Sequence, residues 1–460
     1  MKELLKDVVV VLPGIMGSEL RDRDGDVVWG TSLGSLVKAV LTGGRAAKRL
    51  RLPDGIGDNP APDGVVATSL LADIHVIPGL WSVSIGYEGM LAWFRTKFDV
   101  VEAGHADATR PVNFVPFPYD WRLSNRASAT ALKRTVEPIL ERFRAQSGNS
   151  EAKLILIAHS MGGLVARYYV DVLGGHEVTR KVITLGTPHR GALNALESLV
   201  NGVKEGFGPL KINLTEMARS MPALFQLLPE YACIESASGL KKTTEVSVPG
   251  VSSVHVADAM RFHEELRTGA AAHASKYEAH PILARTQPTA TTARIVDGKV
   301  ETLRTFEGRD EGGDGTVPRL SASPYGVAPD SATLRYVMEK HGGLPINDPA
   351  LVELEGVLTA RTVAARGADY DIGVTCDDVL LAGQAMQATI EVQSELVVDA
   401  VVQRNDGSEV ARSLAVDQGD NTYGAEFTEL APGRYTLRVG VRGTADTVTS
   451  PFVVVAIDGE

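Results

Sequence analysis

The chain has 460 residues, is 44% hydrophobic and carries a formal net charge of -11 at pH 7. That length calls for two domains, and no apolar run approaches the ~18 residues a membrane-spanning helix needs. No basic face is available for nucleic acid, and two cysteines, Cys233 and Cys376, leave neither a disulfide framework nor a cysteine zinc site.

The charge is uneven. Residues 366–460 hold 6 basic and 16 acidic residues, which leaves 40 basic against 41 acidic in the first 365. The body is nearly neutral and the tail is acidic. The opening MKELLKD runs straight into VVVVLPG, without the longer apolar run and small-residue cleavage site of a secretory signal, so a cytoplasmic location is expected.

The first expected strand is Val8 to Leu12, an apolar run without alternation, as in a parallel strand covered on both faces. It ends in PGIMGS, residues 13–18, whose proline and two glycines make a tight loop with exposed amides. The Ile15 N–H is the expected oxyanion donor there, with Met16 as second choice. A phosphate-cradling loop would need a G-K-[ST] ending and an immediate helix, and this loop has neither.

Residues 19–87 are long and mixed, so an insertion capping the sheet is expected. Its apolar stretch HVIPGLWSVSIGY, His75 to Tyr87, suits either a lipid-facing loop or packing under the cap. Alternation resumes with a helix over Glu88 to Phe98, a strand over Asn113 to Phe117 and a helix over Ala127 to Arg144. Strands alternating with helices predict a parallel sheet wound on both faces.

KLILIAHSMGGLVARYYV, residues 153–170, follows. The Leu/Ile run is a buried strand, and from Leu164 the apolar residues recur at helical spacing, so Ser160 stands on a sharp strand-to-helix turn. A nucleophile elbow is usually written G-x-S-x-G. Here Ala158 replaces the first glycine, while Gly162 and Gly163 keep the turn small. The first amide of the following helix, Met161 N–H, has no intrahelical partner and is the expected second oxyanion donor.

A strand over Val182 to Leu185 leads into a second expected cap insertion, 192–290. Within it, SMPALFQLLPEY (220–231) suits a helix lining an acyl channel or cap core. A hairpin is expected around Asp297-Gly298.

A serine hydroxyl needs a base, and the base an orienting carboxylate, in the chain order Ser, acid, His on this strand-helix framework. EGGDGTVP, residues 311–318, centres Asp314 in a glycine-rich loop; Asp310 and Glu311 lie outside that turn. Of ten histidines only His341, in EKHGGLP, follows Asp314, so the order rule leaves no other base. His159 adjoins the serine but points away, and His189 precedes the acid. His176, His255, His263, His273 and His280 read as surface residues of helices or cap segments.

Near Ala364 to Asp371 the character changes. Six or so alternating segments, split by Asn405-Asp406-Gly407, Gly419-Asp420-Asn421 and Pro432-Gly433, predict an all-β, immunoglobulin-like sandwich over 366–460 after a catalytic domain over 1–365.

PGIMGS, FPYDWR (117–122), AHSMGG (158–163), LGTPHRGA (185–192) and GDGTVP (313–318) together resemble the lecithin:cholesterol acyltransferase and lysosomal phospholipase family of α/β-hydrolases, over roughly residues 8–350. The resemblance implies Ser160, Asp314 and His341 as the triad, the Ile15 and Met161 amides as the oxyanion hole, and Asp120–Arg122 as a buried ion pair steadying the sheet's edge. It also implies acyl transfer from lipid esters to water or an alcohol, with no metal or cofactor. Secreted members close their lid with a disulfide; residues 19–87 contain no cysteine. Expected partners are an acyl-ester or lipid substrate, a membrane surface touched peripherally by the cap, and a protein partner for the acidic sandwich. An interaction module, with the sandwich binding a partner and the body regulating it, is the reading from another class.

Overall fold

A computed structural model describes residues 2–30, 49–72, 86–104, 110–207, 210–327, 334–359, 370–392, 396–404, 406–444 and 446–456. Its centre is a parallel sheet of Val8–Leu12 (β1), Phe114–Pro116 (β2), Leu154–His159 (β3), Thr179–Leu185 (β4), Glu278–Ala284 (β5) and Arg335–Val337 (β6), in the order β6-β5-β4-β3-β1-β2. All five pairings are parallel.

The unbroken apolar runs have a direct cause. Val8, Val10 and Leu12 point into one buried cluster, with Leu132 and Val136 of helix α2 (Asn125–Ser147) and Leu164 and Val165 of α3 (Met161–Asp171). Val9 and Val11 point into another, with Met90 and Phe94 of α1 (Glu88–Lys97) and Leu351 and Leu354 of a helix over Asp348–Thr359. A strand buried on both faces has no use for polar alternation. The Ser124 hydroxyl caps α2 by accepting from the Ala127 amide at 3.2 Å, and Gly148 closes it at φ 71°.

Two expectations need correction. The stretch 192–290 is not all insertion: Ser253–His273 is a 21-residue helix packed along α3, and β5 is an inner strand of the main sheet. Its apolar residues lie scattered along a polar sequence, so neither period stood out. The hairpin over Thr292–Val296 and Lys299–Leu303 exists, but in a separate four-stranded sheet with Ile234–Ser236 and Gly239–Lys241. The second correction is His263, which is fully buried on that long helix rather than at the surface.

The first insertion contributes a three-stranded sheet of Ser18–Arg21, Val27–Trp29 and Val66–Leu70. Of the stretch 75–87, residues 75–85 lie outside the described ones; Tyr87 is buried. Arg122, fully buried, reaches Asp120 through two bonds of 2.9 and 2.7 Å beside edge strand β2. It also donates to Asp63 Oδ2 at 2.8 Å and to the Leu50 carbonyl at 3.3 Å, so the same guanidinium ties the insertion to the body.

Among the described residues, the C-terminal region is a sandwich of nine strands. One sheet holds Ile372–Cys376 (β7), Met386–Val392, Thr422–Phe427 and Val416–Gly419; the other holds Val379–Leu381, Thr447–Val455, Gly433–Val441, Val398–Arg404 and Glu409–Leu414. Thr447–Val455 is named βC below. The Tyr435 hydroxyl donates to the Ala431 carbonyl at 2.8 Å, pinning the turn into its strand. The expected boundary at 365/366 lies outside the described residues. Among the described residues no helix is long and apolar enough to cross a membrane.

Candidate active site

Strand β3 stops at His159 and α3 starts at Met161, leaving Ser160 one residue in which to reverse direction. It does so at φ 51°, ψ −129°, a conformation that costs a non-glycine residue on the order of 1–3 kcal/mol. The turn survives because nothing bulky surrounds it. A Cβ on Gly162 would run into the Pro13 carbonyl, one on Gly163 into the Thr187 side chain, and one on Gly14 would come 2.9 Å from Ser160 Cβ.

His341 enters four residues after β6, at the head of a 3₁₀ turn over His341–Ile346. Its Nε2 accepts from the Ser160 hydroxyl at 2.8 Å, and its Nδ1–H donates to Asp314 Oδ2 at 2.7 Å. The partners assign that tautomer. The second carboxylate oxygen of Asp314 accepts from the Thr316 and Val317 amides at 2.9 and 2.6 Å, which fixes the plane of the carboxylate. The His341 amide donates to the Asp314 carbonyl at 2.7 Å, so the acid and base loops are joined through backbone as well. All three side chains are almost wholly buried. Such a chain can take a proton from the serine and hold the resulting imidazolium against a carboxylate.

The other candidates fall elsewhere. Asp310 accepts from the Gly312 amide at 3.0 Å and pairs with Arg304, and Glu311 pairs with Arg319. His189 is buried beside Thr184, its basicity held far down by burial and by Arg167 and Arg190. Ile15 follows Gly14 in the loop after β1, and Met161 is the first residue of α3; neither amide is engaged within the protein among the described residues.

A profile described as Lecithin:cholesterol acyltransferase matches residues 92–281. That match, over less than half of the chain, is a likeness to the family rather than membership of it. The matched segment runs from α1 to β5 and contains Ser160; Gly14, Asp314 and His341 lie outside it. No curated protein matches the chain. Among solved structures, the lipase BlEst2 of Bacillus licheniformis in its propeptide form is 13% identical, with 97% of this chain and 73% of that one covered at a TM-score of 0.37. A thermostable endoglucanase from Alicyclobacillus acidocaldarius is 18% identical, with 18% of this chain covered at a TM-score of 0.16. The chain spans only 15% of that endoglucanase and 14% of AaCel9A in complex with cellobiose-like isofagomine, which is 23% identical over 18% of this chain at a TM-score of 0.16. Likenesses this loose carry no weight for the chemistry.

Several residues around Ser160 escaped the sequence reading. Gly186, after β4, adopts φ +55°, and a Cβ there would lie 2.8 Å from Asp314 Oδ2 and 3.2 Å from His341 Nδ1; its absence makes room for the acid-base pair. The Tyr87 hydroxyl accepts from the Gly14 amide at 2.7 Å and donates to His159 Nδ1 at 2.8 Å, while His159 Nε2–H donates to the His341 carbonyl at 3.0 Å. One relay thus joins the loop after β1, the end of the first insertion, the elbow and the base loop. Burial, helped by the nearby His341 ring, holds His159 well below the ordinary imidazole range, so it stays neutral and keeps that polarity. Position 87 closes an insertion and position 159 points off the strand. No spacing rule joins them.

Proposed function

We propose that the protein is a serine esterase of the acyl-lipid type. The observation that carries this reading is the Ser160–His341–Asp314 chain, with contacts of 2.8 and 2.7 Å on a buried, strained elbow inside the segment that resembles the acyltransferase family. His341 takes the hydroxyl proton as Ser160 Oγ attacks the ester carbonyl. The Ile15 and Met161 amides receive the developing oxyanion, an arrangement in which loss of one donor costs about 10²-fold or more in rate. His341 then returns the proton to the leaving alcohol, and an acyl-enzyme remains. Water or an acceptor alcohol takes the acyl group in the second half. The substrate class is an acyl ester of a lipid.

The test is fluorophosphonate labelling of the wild type and of Ser160→Ala, followed by fatty-acid release from phospholipid vesicles with and without an added alcohol. Labelling lost in the variant supports the activated serine, and the vesicle products separate hydrolysis from transfer. An unlabelled wild type in detergent would overturn the esterase reading and leave the binding-module reading in its place.

A further inference from the structure

The hydrolase reading leaves the acidic sandwich without a task. Its contacts with the body concentrate on the two loops that carry the acid and the base. Three consecutive residues before His341 are all engaged by the sandwich. The Met338 side chain belongs to the sandwich's own buried core, with its sulfur accepting from the Ile372 amide at 3.2 Å. Lys340 Nζ donates to Ser450 Oγ at 2.8 Å. Glu339, between them, is buried and takes four donors: the Thr449 amide at 3.1 Å and hydroxyl at 2.9 Å from βC, the Lys340 amide at 2.8 Å and Asn347 Nδ2 at 3.1 Å. Asn347 in turn closes the 3₁₀ turn that His341 opens.

The acid loop is held in the same manner. Gln287, almost wholly buried, bridges its backbone to the Asp314 loop, its amide donating to the Gly313 carbonyl at 3.0 Å. Its side chain spans to β7: Nε2 donates to the Ile372 carbonyl at 2.8 Å and Oε1 accepts from the Val374 amide at 3.0 Å.

We propose that the sandwich is a built-in clamp for the catalytic pair, with Glu339 and Gln287 as positioning residues that transmit the register of βC and β7 to His341 and Asp314. This rests on the reading of Ser160, His341 and Asp314 as the reacting centre. A covalent link between loop and scaffold would be permanent; here the link is a buried carboxyl group whose four partners all donate, which defines one orientation of the side chain. Misplacing a catalytic group by about 1 Å can cost 10²-fold in rate without touching substrate contacts.

The experiment uses the full chain with a short soluble p-nitrophenyl ester, comparing wild type, Glu339→Gln, Thr449→Val and Thr449→Ser for kcat, KM, fluorophosphonate labelling rate and melting by circular dichroism. A clamp predicts kcat and labelling rate down roughly 10- to 100-fold in Glu339→Gln and about 10-fold in Thr449→Val, with KM within about twofold, and near wild-type turnover in Thr449→Ser, which keeps the hydroxyl. Thr449→Val that melts like wild type and turns over at the wild-type rate overturns the clamp, whatever Glu339→Gln does. So does a loss confined to KM, or an equal loss in Thr449→Ser. A wild type that fluorophosphonate does not label sinks the hydrolase reading itself, and this proposal with it.

Discussion

Replacing Asp314 by Asn exchanges one oxygen for an NH₂ group, and the surrounding hydrogen bonds decide which. Oδ1 accepts from two backbone amides at 2.9 and 2.6 Å, so the amide oxygen of Asn must stay there and Nδ2 must face His341 Nδ1. Two donors cannot meet at 2.7 Å. The imidazole therefore turns to the other tautomer, offering Nε2–H to Ser160 Oγ where a lone pair is needed. The opposite flip would set NH₂ against the Thr316 and Val317 amides, leaving buried donors unpaired at ~1–3 kcal/mol each. At ~1.4 kcal/mol per tenfold in rate, that barrier and the lost imidazolium stabilisation together predict a kcat about 10³- to 10⁴-fold lower. Steady-state hydrolysis of a p-nitrophenyl ester reads the loss, with melting as the control that the loop is intact. Activity within tenfold of wild type in a folded Asp314→Asn would refute the idea that this carboxylate holds the tautomer.

Gly162→Ala drives a methyl group at the Pro13 carbonyl, so it should cost ~1–3 kcal/mol in urea unfolding and slow fluorophosphonate labelling further by displacing the loop that carries Ile15; wild-type labelling would refute that packing. Arg122→Ala leaves Asp120 and Asp63 without their shared cation and should cost ~3–5 kcal/mol, checked by the same unfolding curve, where a loss under ~1 kcal/mol would count against the tie. Acid should weaken the fold. His159, His189 and His263 are buried with folded pKa values lowered, His263 to about 4, so their neutral state adds stability above the unfolded value of 6.5 that is lost as pH falls below it. Between pH 7.5 and 5.5 all three act in the same direction, against the fold. Glu339 works oppositely: burial raises it from 4.5 to about 7, so its contribution is full below 4.5 and disappears as pH rises through about 7. It returns ~2 kcal/mol over the same interval. Unfolding at the two pH values should therefore show a larger fall in Glu339→Gln than in wild type; equal falls would contradict the sign assigned to Glu339.

What the sequence made legible was local. Val8 to Leu12 announces a strand covered on both faces because both faces meet apolar helices, and Ser160 announces an elbow because strand, small residues and helix occur within ten positions. Asp314 and His341 could be picked by chain order and by a histidine count, which needs no distances. The unread features are those set by tertiary contact. Gly186 matters through the space it leaves beside residues 128 and 155 positions away. Residues 253–284 passed for cap because burial of the long helix comes from α3, not from a strong periodicity of its own. Tyr87 and Glu339 look like ordinary surface types and are buried by partners from other segments.

The bond between Glu339 and Thr449 also imposes a schedule. Ser160, Asp314 and His341 all precede Thr447–Val455 in the chain, so a nascent chain holds the whole proposed triad while the strand that meets Glu339 is still to come. On the clamp reading, a chain that lacks this strand turns over slowly rather than at the full rate, and completing the sandwich is what brings the proposed base into register.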